Sequence, residues 1–535
     1  MDVLRSVLPR NTGYSLVEGG RLTKSKFTDS TLRQWLVARG KAVGLFAISL
    51  TLLIFYNILP HPASHDELSS DATFKKSANF HVVMPVVKAD ENVCRFVVSG
   101  GVLGYPAPIF TNWSEEFDDP DEAHVAKVKG LLDWTNRLDA SHDDDLALVI
   151  ESHDVWMQLR PQNLIDRYFE INRRADRRLK SEFGDITRDH DVRQDIVFAG
   201  QGDCEPWSQD DPGCYAIPTS ILESDLTIKP KTSTWRSKSN KRIQFDQPHL
   251  NAAIALGTVK AMRKLFEQAM NEIDMGTHLG SNQNLFSHIY GKQELWREVL
   301  RRDTLQSGGL KGDTDRKARN KLTSNWNEEH LDEIRTIAAE RENATFEFGI
   351  GVDYASEISL STAYAQDNGQ WIKLPDSTTS TSTRLSNDIA NALPPFWTFS
   401  VEPLPRWTTW HDVPLYTYIP TTTTPALLHL PALSASHPMN QPANGAAQSK
   451  MWSSMFFHRY ARVLFDAFVY APVLPVATSG YDVAHQRDWW TMDWAKAGMH
   501  KGGIGGWTPY GEFCQEFVPG IFGDGKGEWS VPDWN

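Results

Sequence analysis

Cysteine is scarce. Four residues in 535 (Cys94, Cys204, Cys214 and Cys514) are too few for a disulfide scaffold, although they allow two bridges in an oxidising lumen. Cys204 and Cys214 are close enough in sequence to close a short loop. No Cys-x-x-Cys, His-Glu-x-x-His, Gly-x-Ser-x-Gly or complete Walker loop occurs, so zinc-finger, zinc-protease, serine-hydrolase and P-loop readings have no motif to stand on. Glycine and proline (35 and 29 residues) follow no period, which excludes collagen-like and solenoid chains. Positive charge is in deficit. Lys and Arg number 54 against 67 Asp and Glu, a net charge of −13, which argues against nucleic acid as a partner because that binding runs on phosphate neutralisation. The 41% apolar content excludes a wholly disordered chain. Nineteen tryptophans offer either core packing or platforms for sugar rings and bases.

Long apolar runs are equally rare. Only residues 42–59 form one, 18 residues without a charge, and a helix of that length spans about 27 Å, enough for a thin bilayer. Arg33, Arg39 and Lys41 precede it, while Asp66 and Glu67 follow. The positive-inside rule then puts residues 1–41 in the cytosol and the rest across the membrane. Forty-one preceding residues are too many for an ordinary signal peptide. The expected plan is a cytosolic tail (1–41), a type II membrane anchor (42–59) and a polar stem (60–90). An α/β core over 91–375, a Ser/Thr-rich loop (376–390) and a C-terminal part (391–535) completing the core follow. The sequons at Asn112 and Asn343 suit the lumenal side.

Within the core, residues 94–98, 146–150 and 196–199 are unbroken apolar runs of the kind buried on both faces of a mainly parallel sheet. Helices are expected from Pro161, from about Thr258 to Ile273, and over 452–469. Such alternation predicts a Rossmann-type α/β nucleotide-binding domain. A low-complexity passage over 434–448 reads as mobile. Glu151 and Asp154 sit just past the 146–150 strand. There, two carboxylates separated by two residues can hold Mg²⁺ or Mn²⁺ against phosphate oxygens.

The order of these motifs resembles the glycosyltransferase domain of the lysyl hydroxylase and procollagen glycosyltransferase group. The similarity covers roughly 93–303, with weaker echoes to about Asp466. The resemblance implies a GT-A-like fold that uses a UDP-sugar and Mn²⁺. Residues 96–106, with Ser99, Gly100 and Gly104, resemble the first strand and nucleotide-side loop. Glu151 and Asp154 stand where the group has its Asp-x-x-Asp motif, and His429 where a terminal His completes the metal site. Asn251 and Gln283 match positions that contact the donor sugar, and Asn282 replaces a usual carboxylate. Ala252 and Ala253 replace a Ser-Gly pair, and no Asn-Gly follows His429.

The resemblance therefore implies a hexosyltransferase of the Golgi or endoplasmic reticulum membrane with a protein, lipid or polysaccharide acceptor. The substitutions leave open a non-catalytic scaffold or lectin-like protein on the same fold. A metal-independent glycoside hydrolase is a third reading. Other candidates are His288, Asp246, the basic segment with Lys229, Lys231, Arg236, Lys238, Lys241 and Arg242, and the possible sugar platforms Trp207 and Trp235.

Overall fold

A strand covered on both faces has no polar side to show, and the runs at 146–150 and 196–199 meet that demand. The computed structural model describes residues 76–204, 211–216, 247–276, 280–306, 328–340, 346–374 (except 364, 366 and 367), 385–398, 404–431 (except 420), 444–491, 496–502 and 506–529. In it both runs are strands of one ten-stranded mixed sheet. The tail, the apolar run 42–59, most of the expected stem, the basic segment, Asp246, Trp207, Trp235 and the Asn343 sequon lie outside the described residues. Among the described residues no helix is long and apolar enough to cross a membrane.

The centre of the sheet is a strand the sequence reading assigned to the stem. β1 (Ser77–Met84) pairs in parallel with β2 (Ile109–Phe110) on one side and β3 (Leu146–Ile150) on the other. β6 (His249–Thr258) runs antiparallel between β3 and β5 (Ile196–Gln201). β7 (Ile350–Asp353) ends that side, parallel to β5. Late segments complete the other side. β14 (Gly498–Lys501) lies parallel to β2 and carries β15 (Trp507–Pro509) antiparallel. β13 (Arg487–Trp490) pairs with the start of β1 and with β12 (Ala477–Ser479). A separate three-stranded sheet joins β4 (Val155–Met157), β11 (Leu427–His429) and β8 (Ser359–Ser361). β9 (Gly369–Ile372) pairs antiparallel with β10 (Leu415–Tyr418) in a two-stranded sheet.

In the sequence β1 reads as part of a polar stem because Asn79 and His81 break its apolar residues and their partner lies far along the chain. Phe80, Val82 and Met84 enter one core with Phe96, Val97 and Leu164. Val83 enters another with Val149, Phe198 and Met262. On that second face Asn79 and His81 are polar, and Asp145 satisfies them. It accepts from the Asn79 backbone N–H (2.8 Å) and Nδ2 (2.9 Å), and lies 3.1 Å from His81 Nε2.

The expected first strand at 94–98 is a helix, α1 (Glu91–Leu103). It is buried from Val93 to Leu103, and a helix apolar all round gives no amphipathic stripe to read. Its caps decide the structure: the Asp90 carboxylate accepts from Val93 N, and Gly104 ends it at φ 85°, a conformation open to glycine. A side chain at Gly101 would run into the Phe465 ring, so this helix packs closely on the segment that follows His429.

The other helices follow the sequence closely. α2 (Pro120–Asn136) and α4 (Val259–Asp274, capped by the Thr258 hydroxyl) cover the second face. α3 (Pro161–Phe183) opens at its proline, and α5 (Asn282–Gln306) packs on β6. The helical stretch at 452–469 is two helices, α6 (Asn444–Ser454) and α7 (Ala461–Tyr470). α6 takes in the end of the passage expected to be mobile. The Ser/Thr-rich loop also ends sooner than expected, because Leu385 and Ile389 are buried and Asp388 pairs with Arg167 at 2.8 Å. Cys204 and Cys214 are bonded, and Cys94 in α1 is bonded to Cys514. Asn112 is a poor glycan acceptor. Its amide is buried and donates to Glu115 Oε2 (2.9 Å) and the Ala126 carbonyl (3.0 Å).

A central strand cannot be removed without exposing both cores. A chain starting at residue 75 should therefore unfold in one cooperative transition. A chain starting at residue 91, the boundary expected from sequence, should lack β1 and show no such transition by circular dichroism. Equal melting curves for the two would remove β1 from the core.

Candidate active site

Parallel strands on both sides of β1 create a switch point between β1 and β3, and the crevice at their carboxyl ends is where such sheets place ligands. Three segments meet there. Residues 85–90 follow β1, residues 111–114 follow β2 and residues 151–154 follow β3. Hydrogen bonds tie them together, from Thr111 N to the Met84 carbonyl (3.1 Å) and from Ser114 N to the Val87 carbonyl (2.9 Å). His153 Nδ1 lies 3.0 Å from Asp90 Oδ2. Burial pushes the Asp90 carboxyl up, but the His153 contact and the Val93 N–H outweigh it and hold it below its ordinary value.

Glu151 is placed by the β3–β6 pairing, which continues as its N–H donates to the Ala253 carbonyl at 2.9 Å. Its Oε2 accepts from Asn282 Nδ2 at 3.0 Å, across from the first residue of α5. Burial pushes the Glu151 carboxyl up to about 7, against the opposing pull of Asn282 and Lys127. Asn251, one residue before Ala252 on β6, is buried and its Oδ1 accepts from Ala253 N at 2.9 Å.

The three-stranded sheet delivers His429. β11 pairs antiparallel with β4, which sets His429 beside Val155, and Leu430 N donates to the Asp154 carbonyl at 2.8 Å. His429 Nε2 therefore stands 3.5 Å from Asp154 Oδ1. Burial pulls the imidazole down, and Asp154 opposes it. His429 Nδ1 is buried without a hydrogen-bond partner. So is the hydroxyl of Ser361, which sits opposite His429 in β8. Orphaned buried polar atoms are costly unless something fills the site.

The geometry joins Glu151 with Asn282, and Asp154 with His429, at one edge of the sheet. It does not bring the three expected ligands to one point. Among the described residues only His81, His142 and Asp145 hold three such ligand atoms within 4.8 Å of one another. The donor set fits a divalent cation nonetheless: a carboxylate beside an imidazole with an unpartnered nitrogen, and a second carboxylate that becomes available once ionised.

Three expected contacts fall elsewhere. Ser99 and Gly100 are buried inside α1 and Gly104 caps its far end, so none forms a nucleotide-side loop. Ser99 instead donates to the Phe96 carbonyl and accepts from Met157 N. Gln283 is a brace: its amide accepts from Ala252 N and donates to the Leu250 carbonyl and Ser287 Oγ. His288 contacts Asp211 at 2.9 Å beside the Cys204–Cys214 loop.

Sequence reasoning missed Asp90 and Gln448. An Asp ahead of an apolar run is a helix-start signal that could have found the first. Gln448 links Asn92 of α1 to the Leu430 carbonyl (both 3.2 Å), a contact with no local signature. Two cavities of about 880 and 1050 Å³ open away from this edge, and neither is lined by Glu151, Asp154, Asn282 or His429. No family model matches the chain, and no curated protein matches it.

Because burial raises the Glu151 carboxyl to about 7, the group should carry a proton through mildly acidic pH and lose it near neutrality. Infrared difference spectroscopy should show a protonated-carboxyl band with a midpoint near pH 7 that Glu151→Gln abolishes. Asn282→Leu, which removes the amide donor, should move the midpoint higher. A midpoint near the ordinary glutamate value would mean that the site is open to water.

Proposed function

We propose that this protein is a Mn²⁺-dependent glycosyltransferase with a GT-A-like domain that moves a hexose from a UDP-sugar to a hydroxyl acceptor. The observation that carries the reading is a pair of contacts just past the carboxyl end of β3, Asn282 on Glu151 at 3.0 Å and His429 beside Asp154 at 3.5 Å, next to the switch point between β1 and β3. Asp90, Glu151 and Asp154 line this edge with carboxylates. A diphosphate would be repelled there at close range unless a cation came between. Asp154 and His429 hold that cation, and Glu151 joins them in its ionised form. The metal would offset charge on the nucleoside-diphosphate leaving group.

The chain's own groups do the rest. Asn251 and Asn282 face the donor sugar from β6 and the start of α5, while Gln283 fixes the β6 backbone that presents Asn251. In this reading the chain is anchored through residues 42–59 in the Golgi or endoplasmic reticulum membrane, and its acceptor is a protein, lipid or polysaccharide. A second reading is favoured by one contact. The Asn282 amide is committed to Glu151, and an amide can neither attack nor act as a base. That arrangement suits a protein that binds a nucleotide sugar without transferring it.

The full-length protein should bind UDP-sugars and turn them over only with Mn²⁺. Asp154→Ala and His429→Ala should each lower turnover by about a hundredfold or more, the scale of losing several kcal/mol of charge stabilisation. Mn²⁺ affinity should weaken as pH falls below about 7, where Glu151 takes up its proton. Binding without turnover would select the second reading. Neither binding nor turnover with UDP-glucose or UDP-galactose would sink both.

A further inference from the structure

A second cluster of metal-ligating groups lies at the opposite, amino end of β1 and β3, and the proposed transferase activity has no use for it. His81 projects from β1. His142 ends the short 3-10 turn Ala140–His142, and Asp145 immediately precedes β3. His81 Nε2, His142 Nδ1 and an Asp145 carboxylate oxygen all lie within 4.8 Å of one another. Asp145 Oδ2 is 3.1 Å from His81 Nε2 and 2.7 Å from His142 Nδ1. We propose that His81, His142 and Asp145 form a binding site for a single Zn²⁺ ion, a structural clamp joining the central strand to the turn before β3.

The donor chemistry is that of a borderline divalent cation, with two imidazole nitrogens and one carboxylate oxygen. A tetrahedral zinc with bonds of about 2.0–2.1 Å holds its ligand atoms about 3.3 Å apart. The His81 contact at 3.1 Å is already close to that spacing and the His142 contact at 2.7 Å must open. The two nitrogens, which lie within 4.8 Å of one another, must stand at the same spacing, and the fourth position is left for water. Access comes through His142, whose side chain is 24% exposed, whereas His81 and Asp145 are fully buried.

The surroundings are built as an outer shell. Asn79 fixes the carboxylate from both sides, through its N–H to Oδ1 and its Nδ2 to Oδ2. The His81 ring is held edge-on against Trp134, with centroids 5.5 Å apart. Such supports set ligand orientation in metal sites. Burial would push the Asp145 carboxyl up, but its bonds to His81 and Asn79 bring it down to about 2, so an anion is ready for the ion. In the metal-free arrangement one oxygen, Oδ2, faces three nitrogen groups at once: Asn79 Nδ2, His81 Nε2 and His142 Nδ1. One cation between the two rings and the carboxylate would replace two of those contacts and relieve the crowding. Asp143 and Asp144, which precede Asp145, are paired with Arg263 (2.7 Å) and Arg487 (3.6 Å), so their charge is offset and the cluster's own carboxylate supplies the anion.

This inference stands apart from the proposed function, and its test keeps the two sites separate. The full chain carrying Asp154→Ala and His429→Ala loses the other candidate metal ligands. Stripped with chelator and titrated with Zn²⁺ alone by calorimetry, it should still bind one equivalent, and its melting temperature should rise. Adding His142→Ala, a change at the exposed rim, should weaken that binding at least about tenfold, as loss of a metal-site group does, and abolish the rise in melting temperature. Melting of the metal-free variants verifies that the fold survives. No zinc bound in the Asp154→Ala/His429→Ala chain, or binding that His142→Ala leaves unchanged, would overturn the proposal.

Discussion

Asp145 lets the sheet have the centre it has. A strand flanked in parallel on both sides and covered on both faces must satisfy every polar side chain it carries, and β1 carries two on one face. Leaving a buried donor unpaired costs about 1–3 kcal/mol. Asp145 removes that cost by accepting from Asn79 twice and contacting His81. With β1 thus able to sit between β2 and β3, the switch point falls at the carboxyl ends of β1 and β3. The chain's acidic motif is there because of the sheet order, and the sheet order depends on a buried carboxylate at the opposite end of the same strands.

On the proposed glycosyltransferase reading, two of the departures from that pattern are coupled in space. Glu151 stands where the resembling group has Asp, and Asn282 where it has a carboxylate. In the structure they touch at 3.0 Å. Two carboxylates at that distance in a buried site could not both ionise, and one would be driven to hold a proton. A longer side chain at 151 that reaches a neutral amide at 282 turns a repulsive pair into a hydrogen bond. The substitutions then read as one compensated change, not two separate losses. Were the chain to transfer a sugar as proposed, some other group would have to meet the charge that develops at the anomeric carbon.

How much of this was legible in the sequence depends on how local each signal was. The runs at 146–150 and 196–199 could be read because a doubly buried strand is apolar without interruption, although the second strand continues to Gln201. α3 and α4 could be read from a proline start, a threonine cap and an amphipathic stripe. Glu151 and Asp154 follow from their place after β3. β1 was hidden because its polar residues find their partner more than sixty residues away. α1 was misread because a wholly buried helix and a buried strand have the same composition, and only Asp90 and Gly104 at its ends tell them apart. Misreading α1 moved Ser99 and Gly100 from a helix interior, and Gly104 from its C-terminal cap, into a supposed loop, and it hid Asp90 from the site. Gln283 was expected to contact the donor sugar. Its amide is spent on the β6 backbone, a commitment invisible without β6 beside it.

His429 shows why the candidate site cannot be assembled from local pattern alone. In the sequence it is marked only by the resemblance of residues 425–429, and 274 residues separate it from Asp154 in the chain. Three short strands make the connection. Because side chains alternate along a strand, the antiparallel register of β11 on β4 fixes which face His429 presents, and a slip of one residue would turn it away from Asp154. The Leu430 N–H on the Asp154 carbonyl and the Thr362 N–H on the His429 carbonyl lock that register at its end. Gln448 then ties the segment after His429 to the first turn of α1. The Asp154–His429 contact is therefore a property of sheet register. Any change that loosens β8, β11 or α6 acts on that contact without touching either residue.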